Sequence, residues 1–142
     1  MADIIVRPST KLIRPLYYLA ILLAIGLYFW NRSLEQPLAP YIYILPLLLL
    51  VAAAIKHIGL LFTVMTVAAG KLRYETGMLS KSTRTIEIHK VQDVRVDESL
   101  SQRIVGIGNI SIETAGETSR LTMANIDKPH AIADKILEAA RT

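Results

Sequence analysis

Two uncharged apolar runs lead the chain, at 15–31 and 36–55, and nothing after Gly70 resembles them. The first holds about 17 residues, the short end of what crosses a hydrocarbon core of roughly 30 Å, and the second holds about 20. Tyr17, Tyr18, Tyr28, Trp30, Tyr41 and Tyr43 stand near the run ends, where amphipathic rings favour the headgroup zone. Pro46 falls inside the second run and predicts a kink, because it removes one backbone hydrogen bond. A chain of 142 residues has no core wide enough to hide two such helices. The pattern therefore predicts a transmembrane hairpin over 1–57, with spans at about 15–31 and 37–55, and a soluble domain at 58–142.

From about Leu60 the period drops to two. Residues 63–67 are rich in β-branched side chains, and 71–75 alternate up to Thr76 and Gly77. Segments 83–89 and 91–96 alternate with Ile86, Ile88, Val94 and Val96 on one face, and 109–114 and 119–123 follow the same rule. Strict alternation predicts strands with one buried face. Residues 115–118 between the last two read as a hairpin turn, and Gly70, Gly77 and Gly116 stand where turns are needed.

Two helical segments break this series. Residues 98–105 place Leu100 and Ile104 at i, i+4, an apolar face for burial, and stop at Gly106, a C-terminal cap. Residues 127–141 form an amphipathic helix with Ile132, Ile136 and Ala140 on one face, Asp127 at the cap and Pro129 in the first turn. The expected class is thus an α+β membrane protein. Its helical hairpin precedes a small antiparallel barrel or sandwich, closed by the C-terminal helix.

Charge sets the orientation. Arg7, Lys11 and Arg14 precede the first run and Lys56, Lys71 and Arg73 follow the second, whereas the connecting loop offers only Arg32. Lys and Arg mark cytoplasmic flanks, so both termini are expected in the cytoplasm with the protein integral to the inner (plasma) membrane. Pro37 and Pro40 suit the tight outer turn. The bulky series Tyr28, Phe29, Trp30 replaces the small residues of a signal-peptide cleavage site, so the first run is expected to be retained. The net charge of +4 divides evenly between 1–55 and 56–142, and a soluble part so mildly basic speaks against nucleic acid as partner.

The absence of cysteine excludes disulfides, thiol catalysis and thiolate metal sites. The three histidines, His57, His89 and His130, have no neighbours at metal spacing, although Glu87 and His89 share a strand face. Gly106 and Gly108 follow a helix and precede a strand, the reverse of a phosphate-binding loop, and read as a tight turn. No catalytic residue, metal, cofactor or small-molecule substrate is expected. Within 71–90 the charge is +3 and within 91–117 it is −3. Lys71, Arg73, Lys81 and Arg84, with the hydroxyls of Ser80, Ser82 and Thr83, are the candidates for contact with membrane headgroups.

The ordered series at 77–116 resembles the bacterial pleckstrin-homology-like domain of small membrane proteins. It is carried by Gly77, Met78 and Leu79, then Ile86 to Ile88, then Val91, Gln92, Asp93 and Val94. Ser99 and Leu100, the stretch 103–109 and the stretch 112–116 complete it, and a looser similarity covers about 60–140. The resemblance implies two roughly orthogonal antiparallel sheets capped by the C-terminal helix, behind paired membrane spans. It implies no chemistry, since one fold serves many functions. Gly77, Gly106, Gly108 and Gly116 are expected to be structural. The leading functional expectation is a non-catalytic interaction or scaffold module at the inner membrane face, binding a protein partner or its own copies through sheet edges. Alternatives are a headgroup sensor acting through Lys81 and Arg84, and an accessory subunit of a transporter or enzyme. Two spans without charge make a poor solute path by themselves.

Overall fold

The computed structural model describes residues 3–115 and 120–142. Among the described residues, seven strands form two antiparallel sheets, and in all but the first, apolar residues alternate. The first sheet contains β1 (Ile4–Val6), β2 (Val64–Ala68), β3 (Lys71–Thr76) and β4 (Ser82–Glu87), in that spatial order. The second contains β5 (Val91–Asp97), β6 (Ile107–Thr114) and β7 (Leu121–Asp127), again in order. The helices are α1 (Arg14–Ser33), α2 (Ile44–Leu61), α3 (Leu100–Val105) and α4 (Pro129–Arg141). The protein is thus α+β, with antiparallel sheets and a C-terminal helix. Of the hairpin turn expected at 115–118, residues 116–118, Gly116 among them, lie outside the described residues.

The chain divides into two compact units, Met1–Ser9 with Gly59–Thr142, and Thr10–Ile58. In the first, the core lies between the sheets. Met65, Leu72, Ile110, Ile112, Met123 and Ile126 are fully buried, and Ile136 of α4 joins them. Burying each such side chain contributes about 1.5–3 kcal/mol relative to leaving it in water. The sheets are joined twice. At one end a 3₁₀ turn at Ile88–Lys90 leads β4 into β5. At the other, Pro8 bridges to Ile126 and the Ser9 amide donates to the Asn125 carbonyl at 2.6 Å, which carries the end of β1 across to β7.

Three expectations change here. β1, outside the alternating series, pairs antiparallel with β2, Ile5 opposite Thr66. The strand expected to run to His89 stops at Glu87, because the chain turns a corner while Ile86 and Ile88 both remain buried. The cap position of α4 is Lys128, in the left-handed region at φ 49°, while Asp127 closes β7.

The second unit is an antiparallel helical pair. The Tyr17 hydroxyl and His57 Nδ1 lie 3.3 Å apart near one end, and Asn31 Nδ2 donates to the Tyr43 hydroxyl at 3.3 Å near the other. Ala20 and Ala53 are fully buried, small residues of the kind that let two helices approach closely. Most large apolar side chains point outward, including Leu22, Phe29, Leu45, Leu47 and Leu48. Among the described residues one helix, Pro40–Leu61, is long and apolar enough to cross a membrane. α1 has 20 residues, but Arg14, Asn31 and Arg32 at its ends and the rings of Tyr17, Tyr18, Tyr28 and Trp30 dilute its apolar character. Pro46 is the third residue of α2 rather than a mid-span break. Its missing N–H falls in the first turn, where no intrahelical acceptor exists.

Candidate functional site

The site grows from β1. Its residues Ile4, Ile5 and Val6 are all β-branched and suit extended backbone. Ile4 and Val6 turn toward the core, and Ile5 is 62% exposed. Among the described residues β1 pairs with β2 alone along its length, so its outer edge carries backbone groups with no strand partner.

A groove of about 600 Å³ opens beside that edge. Its apolar lining includes Ile4, Val67, Ile88, Ile132 and Ala139, drawn from β1, β2, the corner at Ile88–Lys90 and α4. Gly70 helps to shape one wall, where a tight turn with Ala69 at φ 52° and Gly70 at φ 73° joins β2 to β3. Asp3, Lys135, Glu138 and His89 ring the opening with both signs of charge. By shape and lining, such a groove suits an extended, mostly apolar segment with an occasional charge.

The residues singled out in the sequence lie elsewhere. Lys71 and Arg73 share the outer face of β3, where Lys71 stands opposite Glu87 and Arg73 opposite Thr85. Lys81 lies 3.7 Å from Glu75 in an ion pair. Arg84 stands opposite Tyr74, on the face shared with buried Leu72 and Ile86, and is half-buried. The four cations are thus divided between two sheet faces and a loop. The structure does not gather them into one basic patch. Among the described residues no group of three His, Asp or Glu side chains could hold a metal ion.

Gly77, Gly106 and Gly108 occupy backbone positions with little room for a side chain or with positive φ. Gly106 caps α3 in the left-handed region at φ 74°. A Cβ at Gly108 would meet Glu98 Cγ and Pro129 Cγ at 2.9 Å, and one at Gly77, where φ is 120°, would collide with the Ser80 carbonyl. Ser99 and Gln102 form a reciprocal capping box at the start of α3. Gln102, only 6% exposed, also donates from Nε2 to Asn109 Oδ1 and Asn125 Oδ1, both at 2.8 Å. That network turns the polar face of α3 inward. Leu100 and Ile104, expected in the core, therefore stand 77% and 78% exposed.

Sequence reasoning missed the groove because β1 offers three apolar residues without alternation, ahead of the first long apolar run. The only local signal is the β-branched triplet itself.

A family model described as "Bacterial PH domain" matches residues 12–140. No curated protein and no solved structure matches the chain.

Proposed function

The chain belongs to the bacterial PH domain family, and on that premise we propose that it is a non-catalytic, membrane-anchored interaction module whose groove beside β1 receives an extended segment of a protein partner. The observation that carries this reading is the coincidence of an open sheet edge with an apolar cleft. Main-chain hydrogen bonds to β1 supply affinity, and alternate side chains of the partner reach the wall formed by Ile4, Ile88 and Ile132. The helical pair spans the inner membrane, with both termini cytoplasmic. The outward apolar side chains of both helices and the excess of Lys and Arg on the flanks support that placement. Headgroup contact through Lys81 and Arg84 has less support, because one is paired with Glu75 and the other lies on the core-facing side of its sheet.

The test is photo-crosslinking in intact cells, with a photoreactive residue at Ile5 or Lys135 and a control at exposed Ala124 on β7. A discrete protein adduct from both groove positions and none from Ala124 is the expected result. An adduct with a second copy of the chain identifies the partner as itself. Equal labelling at all three positions, or none in the groove, overturns the reading.

A further inference from the structure

Four apolar side chains stand in solvent at one end of the sheet unit. Leu79, with Met78, is on the loop between β3 and β4 and is 95% exposed, and Leu100 and Ile104 project from α3. A monomeric soluble domain rarely presents such residues together without a use.

The register places these residues. β3 ends and β4 begins at the Thr76–Ser82 pair, which brackets the loop. Thr63 Oγ1 lies 3.2 Å from Thr76 Oγ1, so the start of β2 is at this end too. α3 is fastened to Asn125 by Gln102, and the Asn125 carbonyl accepts from the Ser9 amide. Both passages to the helical pair, after Ser9 and before Val64, therefore leave from the end that carries the apolar residues. Only Phe62 and Thr63 separate α2 from β2, and Leu61 and Phe62 are themselves exposed. The groove beside β1 opens at the opposite end, at Asp3, Gly70 and the Ile88–Lys90 corner.

Charge fits the same surface. Arg7 and Lys128 are exposed at this end, beside Lys81 and Arg103, which are held in ion pairs with Glu75 and Glu98. Among the described residues, Glu75, Glu98 and Asp97 are paired with Lys81, with Arg103 and His130, and with Arg95, so these groups add little net charge to the surface. Asp127 also has a partner. An apolar surface with Arg7 and Lys128 beside it matches the boundary between acyl chains and anionic headgroups.

We infer that Met78, Leu79, Leu100 and Ile104 insert into the headgroup layer of the membrane, docking this end of the domain on lipid and leaving the groove turned to the cytoplasm. The inference rests on the membrane placement of the helical pair proposed above. Docking presents the groove to partners in one orientation.

The chain has no cysteine, so single-cysteine variants of the full-length protein report cleanly. Leu79→Cys, Leu100→Cys and Ile104→Cys, each carrying an environment-sensitive fluorophore, are compared in vesicles of phosphatidylethanolamine and phosphatidylglycerol containing nitroxide lipid. Leu48→Cys, on the outward face of α2, is the immersed reference, and Lys90→Cys, at the groove end, is the aqueous one. The expected result is quenching at all three test positions that approaches Leu48 and exceeds Lys90 several-fold. Quenching at Leu48 with only background at the test positions overturns the docking and leaves the membrane placement standing. A blue shift without lipid quenching assigns the patch to protein contact and overturns it as well. An unquenched Leu48 removes the membrane placement and the docking together.

Discussion

Gln102 and its two asparagine partners explain how a short helix with an apolar pair on its outer side is held to a sheet. Gln102→Leu removes donors from two amide oxygens and breaks the capping box, so it should lower stability by about 1–3 kcal/mol. Urea unfolding of the detergent-solubilised protein, followed by circular dichroism, checks this. Leu100→Gln, on the exposed side of the same helix, should stay within about 0.5 kcal/mol of the native chain in that assay. The reverse order would mean that α3 is buried as its i, i+4 spacing suggests. Gly108→Ala should cost about 1–3 kcal/mol through overpacking against Glu98 and Pro129. Ile112→Asp puts an unpaired charge in the core and should abolish cooperative unfolding; an unchanged transition contradicts the assignment of β6. Periodicity showed the apolar side of α3 but not its direction. The deciding hydrogen bonds come from Asn109 and Asn125, which only the tertiary fold brings beside Gln102.

Six of the seven described strands and both helices of the sheet unit announced themselves, because one buried face forces alternation in a strand and a 3.6-residue period in a helix. β1 did not. Three residues are too few for a period, and their place in the sheet is set by β2, some sixty positions later. The corner at Ile88–Lys90 was hidden for a different reason: Ile86 and Ile88 keep the parity of a strand across a real break. Both concealed features line the groove, so the candidate site was the least legible part of the sheet unit. The basic residues were visible in the sequence, but cross-strand register decides which of them share a face, and it separates Arg84 from Lys71 and Arg73. At this scale the groove makes its own prediction. Ile5→Asp should reduce partner crosslinking from a photoreactive Lys135 position several-fold and leave unfolding within about 0.5 kcal/mol, because Ile5 contributes its exposed side to the partner rather than to the core. An unaltered adduct would place the partner away from β1.

For the whole molecule, hydropathy sets two apolar runs apart from an alternating remainder, and the structure divides into a helical unit and a sheet unit, with residues 3–9 in the sheet unit. Hydropathy was less decisive for the pair itself. Pro40–Leu61 satisfies the length and apolarity of a span, while α1 carries its polar groups and rings close to both ends. Both helices nevertheless turn large apolar side chains outward and small ones toward each other, which suits lipid better than water. The central claim is that the pair crosses the membrane and holds the groove-bearing unit on the cytoplasmic side. Single cysteines at Glu35, between the two helices, and at Lys90, beside the groove, test it most directly when spheroplasts are treated with a membrane-impermeant maleimide. The account predicts that Glu35→Cys is labelled from outside and that Lys90→Cys reacts only after permeabilisation. Labelling of Lys90→Cys in intact spheroplasts, or protection of both positions until permeabilisation, would contradict it.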